Sequence, residues 1–224
     1  CESCTIAQIR AYKPQSSSLG CGQVLHCPYM ADKARIVVQE MIDGISLELV
    51  EKRLVTDQLV LTVGYDIENL TRPEIRKVYK GPVTTDRYGR RVPKHAHGTW
   101  NLPRATSSSS ELLEAMAALY DKIVNPALLI RRMSLSACHV VNEKMAKERE
   151  QKETFEQLDL FTDYAKKEAK EKEEQKKRER ERRMQEALLT IKKKYGKNAV
   201  LRGMNFEEGA TAKERNGQIG GHQA

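Results

Sequence analysis

Aromatic residues are scarce in this chain. Phe, Trp and Tyr make up 5% of its 224 residues, with three Phe and one Trp. That poverty argues against a surface built to stack bases on exposed rings. Long apolar runs are missing as well. Nothing approaches the roughly 20 apolar residues of a membrane-spanning helix, and no charged-then-apolar segment opens the chain as a secretory signal would. Cysteine is sparse: Cys1, Cys4, Cys21, Cys27 and Cys138 are odd in number and unevenly spaced. Cys1-x-x-Cys4 with His26-Cys27 fits no common closed zinc spacing, so no metal site is expected. Ordinary reduced thiols favour a cytoplasmic chain. The first residue is Cys1 rather than Met, so the chain is expected to be a piece of a longer protein.

Charge is plentiful. Charged residues make up 31% of the chain against 39% hydrophobic, and the net charge is +8. A basic surplus favours a polyanionic partner. Residues 1–140 and 141–224 each carry half of it, so pattern rather than net charge divides the chain.

Residues 16–142 read as a folded α+β domain. Ser17 to Leu25 alternates, with Leu19, Cys21 and Leu25 on one side and Ser18, Gly20 and Gly22 on the other. That period of two predicts a strand with one bare face. Ala31 to Arg53 carries Ala34, Val38, Met41, Ile45 and Leu49 at helical spacing. Val55 to Tyr65 returns to period two, and Gly98 to Leu102 is a short strand that Pro103 ends or marks as a sheet edge. Ser108 and Glu111, at capping-box spacing, open a helix that stops near Asn125-Pro126. Leu129 to Val141 is the last strand. The order predicts a four-stranded antiparallel sheet with two helices on one face, the split βαββαβ arrangement.

The uncovered face would carry Ser18, Gly20, Gly22, Thr62, Gly64, Thr99, Asn101, Arg132, Ser134 and Ser136. It is small, polar and nearly free of acid. This pattern suits a solvated sheet face, or a surface that lets a phosphate backbone approach closely. The stretch Arg72 to His97 favours the second. It holds Arg72, Arg76, Lys77, Lys80, Arg87, Arg90, Arg91 and Lys94 against Glu74 and Asp86. Asp86-Arg87-Tyr88-Gly89-Arg90-Arg91 reads as a turn flanked by cations. Arg104 beside Thr106-Ser107, and Arg131-Arg132, add to a footprint suited to nucleic acid.

Ser17-Ser18-Leu19-Gly20, the Thr106-Ser107-Ser108 cap and Leu129-Ile130-Arg131-Arg132 fall in register. Together they resemble the little-finger domain of Y-family lesion-bypass DNA polymerases, the bacterial polymerase IV and V class. The resemblance spans about residues 5–141. Thr56 to Asp66 and Val92 to Thr99 look like the Gram-positive branch, and Ala7 to Pro14 like the linker after a thumb domain, so residues 1–15 are expected to close the thumb. The resemblance implies DNA repair, lesion bypass, damaged-DNA binding and the SOS response. It implies that Ser17, Ser18, Gly20, Gly22, Arg87, Arg90, Arg91, Lys94, Arg104, Thr106, Ser107, Arg131, Arg132 and Ser134 grip primer–template DNA. The family's Mg²⁺-binding carboxylates belong to a palm domain that precedes the thumb. No catalytic residue, metal or cofactor is therefore assigned here, although the parent polymerase would use Mg²⁺. Asp66 and Glu68 read as the start of a loop rather than a metal pair.

The remaining residues read as a tail. Gln157-Leu158-Asp159-Leu160-Phe161, within a flexible tether over 143–164, matches the pentapeptide by which bacterial polymerases bind the sliding clamp. Residues 165–195 predict a charged, solvated helix. Its apolar seam, Met184, Ala187, Leu188 and Ile191, is a candidate for docking on a partner or another domain. Residues 196–224 read as a flexible basic tail. A monomer with no membrane contact is expected. The competing readings are an RNA-binding βαββαβ module and a noncatalytic scaffold.

Overall fold

The computed structural model of the chain describes residues 4–12, 17–153, 164–219 and 222–223. A short helix α1 (Ile6–Ala11), capped by Thr5, precedes the domain proper. Strand β1 (Leu19–Tyr29) leads into helix α2 (Ala31–Lys52) and strand β2 (Leu54–Tyr65). An excursion follows: the short helices α3 (Glu68–Thr71) and α4 (Pro73–Val78), then a hairpin of β3 (Val83–Thr85) and β4 (Arg91–Pro93). Strand β5 (Ala96–Thr106), helix α5 (Ser109–Ile123) and strand β6 (Ile130–Cys138) complete the α+β unit.

The sheet is antiparallel with order β1-β6-β2-β5. A two-residue strand β7 (Val141–Asn142) pairs with the start of β2. The predicted last strand is thus interrupted at His139. This residue takes a left-handed conformation (φ 51°), and its ring nitrogen lies 2.9 Å from Asp57, opposite the bulge between Thr56 and Gln58. Pro103 lies inside β5 rather than ending it. Because β5 is a sheet edge, the missing N–H costs no ladder bond.

Alternation places Leu59, Leu61 and Val63 of β2 and Met133, Leu135 and Ala137 of β6 on the covered face, each at most 2% exposed. They pack on Ala34, Val38, Met41, Ile45 and Leu49 of α2 and on Leu112, Met116 and Leu119 of α5. Gly98 allows α5 to lie close, since a Cβ there would meet Leu119 and Ile123 within 3 Å. The Tyr120 hydroxyl donates to the Ala31 carbonyl at 2.7 Å and ties the two helices together.

Helix α6 (Glu143–Glu153) follows β7, and α7 (Tyr164–Tyr195) begins after the undescribed segment. The C-terminal half of α7 does not stand free in solvent. Gln185 is 2% exposed and donates to the Ser107 carbonyl and to Ser109 Oγ. Inward residues recur as Arg178, Glu181, Arg182, Gln185, Leu188, Leu189 and Lys192. The docked stripe is therefore largely polar, while Met184 and Ile191 of the expected seam point to solvent.

Residues 196–217, expected to be flexible, also follow a defined path over α2. Arg202 pairs with Asp43 at 2.8 Å, and a short turn of helix α8 (Ala212–Arg215) points its N-terminus at Glu40. That carboxylate, 4% exposed, accepts from Asn205 Nδ2 and from the Thr211 and Ala212 amides. A buried carboxylate needs such donors, and no periodicity within 196–217 announces that they come from there.

Candidate nucleic-acid interface

Backbone register assembles the uncovered face row by row. Gly20 faces Ser136, which faces Val60, which faces Thr99. In the next row Gly22, Ser134, Thr62 and His97 lie side by side, and beyond it Val24, Arg132 and Gly64. Gln58, Asn101 and Cys138 form the row at the other end. No carboxylate stands in these four rows, and Gly20, Gly22, Val24, Ser134 and Thr99 are exposed, so no described helix or tail residue masks this side.

Two cross-strand bonds order the polar side chains of the face. Gln58 Nε2 donates to Asn101 Oδ1 at 2.9 Å, and Thr62 Oγ1 lies 2.9 Å from His97 Nδ1. Arg132 lies flat across Gly64: a Cβ at that position would fall 2.6 Å from the arginine Cγ and Nε. The glycine therefore sets how low the guanidinium lies on the sheet. His97 and Gln58 join the face beyond the residues expected there. Continuing the alternation of β5 by one step from Thr99 finds His97, and that of β2 by two steps from Thr62, through Val60, finds Gln58.

The hairpin is pinned by one acid. Asp86 Oδ1 accepts from the Tyr88 and Arg90 amides at 2.9 Å, its Oδ2 accepts from Arg90 Nε, and Gly89 takes the left-handed corner (φ 77°). Burial alone would raise the Asp86 carboxyl, but these bonds outweigh it and hold it below the usual carboxylate range. The guanidiniums of Arg87 and Arg90 lie 4.7 and 5.1 Å from the centre of the Tyr88 ring. Arg91, Lys94 and Arg132 are exposed and have no ion-pair partner among the described residues.

The other candidates separate into three groups. Ser18, Gly20, Gly22, Arg132 and Ser134 are exposed together on the bare side, and Ser17 is exposed where its carbonyl accepts from Val140. Arg131 sits at the irregularity between β1 and β6, donating to the His26 carbonyl, with its Nε 3.8 Å from Asp66. Asp66 itself caps the following turn through the Glu68 amide.

Arg104, Thr106 and Ser107 do not join the face. They lie at the N-terminus of α5, where Arg104 pairs with Glu111 and Thr106 and Ser107 are buried. Ser107 Oγ there accepts from Arg182 of α7, at 3.1 Å. Glu181 of α7 fills the remaining capping site, accepting from the Ser110 amide and from the Ser108 and Ser110 hydroxyls. An anion does sit at this helix start, but it comes from the chain itself. Gln157, Leu158, Asp159, Leu160 and Phe161 lie outside the described residues.

Among the described residues no three His, Cys, Asp or Glu gather as metal ligands, and Cys4, Cys21, Cys27 and Cys138 are free thiols. No described helix is long and apolar enough to cross a membrane.

No protein-family model matches the chain, and no curated protein matches it. Among solved structures, the chain is similar to one in the complex of the beta-clamp processivity factor and the little finger domain of PolIV. The identity is 9% and the TM-score 0.36, over 65% of this chain and 100% of that one.

Proposed function

We propose that this chain is the DNA-gripping C-terminal part of a Y-family lesion-bypass DNA polymerase, tethered to the sliding clamp through Gln157 to Phe161. One observation carries the DNA reading: four rows of small and uncharged side chains, crossed by Arg132 and free of carboxylates, on the sheet side that no helix covers. A phosphate backbone can approach such a surface without meeting like charge. Hydroxyls of Ser134, Ser136, Thr62 and Thr99 can donate to its oxygens, and Arg91, Lys94 and Arg132 supply the cations. The amides of Gln58 and Asn101 are bonded to each other and Arg132 lies along Gly64, so the face favours phosphate contact over reading of base edges.

No Phe, Tyr or Trp stands in those rows and their one imidazole, His97, is engaged with Thr62, which weighs against an RNA-binding module that works by stacking on its sheet. The clamp tether rests on the pentapeptide alone.

The test is binding of the full chain to primer–template DNA across a salt series. Affinity should fall steeply with salt and depend little on sequence. Binding confined to single-stranded RNA would overturn the reading. Separately, Leu160→Ala with Phe161→Ala should abolish clamp binding and spare DNA binding; surviving clamp affinity would remove the tether.

A further inference from the structure

The phosphate grip leaves the exposed aromatic at the hairpin tip without a role. Tyr88 is 64% exposed, although the chain has few aromatic residues to place anywhere. Its setting is fixed from below. Asp86 holds the turn by three hydrogen bonds, so the ring is presented from a preorganised loop rather than a mobile one. Two guanidiniums sit at stacking distance from the ring. Arg87 also donates from Nη2 to the Tyr88 hydroxyl.

A ring flanked by cations on an otherwise basic lobe suits one ligand class. An unpaired nucleobase stacks on an aromatic or on a guanidinium plane, while its phosphates take the neighbouring positive charge. A free phosphate ion would use the cations and leave the ring without a role. Duplex phosphates would do the same, because paired bases keep their faces inside the stack.

The location agrees. Strand β4 runs within three residues into β5, whose His97 and Thr99 belong to the bare face. The hairpin strands are three residues long, about 10 Å at the usual rise. The hairpin leaves the sheet at the end where β5 begins, opposite Val63 of β2, and its length matches about three base-pair steps at about 3.4 Å each. There, a duplex lying on the face could give way to single strand.

We propose that Tyr88 stacks on an unpaired base of a single-stranded overhang adjoining the duplex held on the sheet, the base displacing the guanidinium of Arg87 or Arg90 from over the ring. This rests on the DNA-grip reading and adds a second contact to it, one that senses the junction rather than the duplex.

The experiment compares a blunt duplex with the same duplex carrying a single-stranded 5′ template overhang that contains 2-aminopurine. The full chain, Tyr88→Ala and Tyr88→Phe are titrated at fixed salt. The wild type should bind the overhang substrate more tightly and quench the 2-aminopurine. Tyr88→Ala should weaken overhang binding about tenfold and abolish the quench, with blunt-duplex affinity unchanged. Tyr88→Phe should keep both signals, since the ring and not the hydroxyl carries the contact. Equal loss on both substrates would make Tyr88 a duplex contact and overturn the proposal, as would no loss on either. In both cases the grip on duplex would stand. A wild type that binds neither substrate would sink the grip reading as well.

Discussion

Replacing Ser134 with glutamate puts the DNA reading under its most direct strain. Ser134 is exposed at the centre of the bare face, between Gly22 on β1 and Thr62 on β2. Gly22 brings no side chain, Thr62 is already engaged with His97, and the nearest cation is Arg132, two residues along the same strand. A carboxylate there would face a phosphate about 5 Å away. The Coulomb repulsion is about 0.8 kcal/mol at the dielectric of water and about 3 kcal/mol at an effective value of about 20. Partial neutralisation by Arg132 pulls the result toward the low end. Affinity for duplex DNA should then fall about fourfold to 150-fold, and the loss should shrink as salt rises, because the Debye length shortens from about 10 Å at 0.1 M. Ser134→Ala separates charge from hydroxyl and should cost little. Fluorescence anisotropy with labelled duplex measures both variants, with thermal unfolding to confirm that each is folded. A folded Ser134→Glu protein that binds like wild type across the salt series would refute the placement of DNA on this face.

Other perturbations divide the molecule into its working parts. Arg91→Gln with Lys94→Gln should weaken binding to all sequences and flatten the log–log salt slope by about 0.9 for each phosphate no longer neutralised. Arg90→Gln should do less, since Arg90 already neutralises Asp86. Gln185→Ala leaves the Ser107 carbonyl and Ser109 hydroxyl without their buried donor and should destabilise the domain by about 1 to 3 kcal/mol in urea unfolding. For Glu181, burial raises the carboxyl, but the Ser108 and Ser110 bonds more than offset it and hold it below its ordinary 4.5. Its contribution to stability is thus complete above that value and lost as pH falls through the lower folded value. Melting temperature should therefore drop more steeply below pH 4.5 for wild type than for Glu181→Gln.

The sheet and its two helices are legible in sequence because their signals are local. Period two in Leu59, Leu61 and Val63 and period 3.6 from Ala34 to Leu49 each fix a buried face without knowledge of the rest. The bare face follows by elimination, since whatever alternates with the core must point the other way. Arg104, Thr106 and Ser107 escape correct placement because cationic and hydroxyl side chains look alike in sequence whether they meet a phosphate or a carboxylate. At this helix start the carboxylate of Glu181 arrives from 71 residues away, and no local pattern encodes it. The C-terminal region defeats a sequence reading for a related reason. A stripe of Glu181, Arg182, Gln185 and Lys192 reads as a solvated helix face, yet here it docks through hydrogen bonds on a surface that is itself polar.

That docking decides how the two sides of the domain can be used. Helices α2 and α5 and the residues between them present Glu40, Asp43, Glu51, Ser107 and Ser109 to the C-terminal region, which answers with Thr211, Arg202, Lys193, Arg182 and Gln185. Acidic groups are thereby concentrated on the covered side and matched by the chain's own donors, while the opposite side keeps none in its four rows. The same sheet thus has one side satisfied by the C-terminal region and one side where Ser134 and Arg132 are exposed to water. A polyanion would meet repulsion at Glu40 or Asp43 if the C-terminal region were absent, and meets none at Ser134 whether it is present or not. Removing residues 196–224 should therefore cost stability through the exposed Glu40 and leave duplex affinity on the bare face intact. A deletion that stays folded and loses DNA would show the charge separation to have been misjudged.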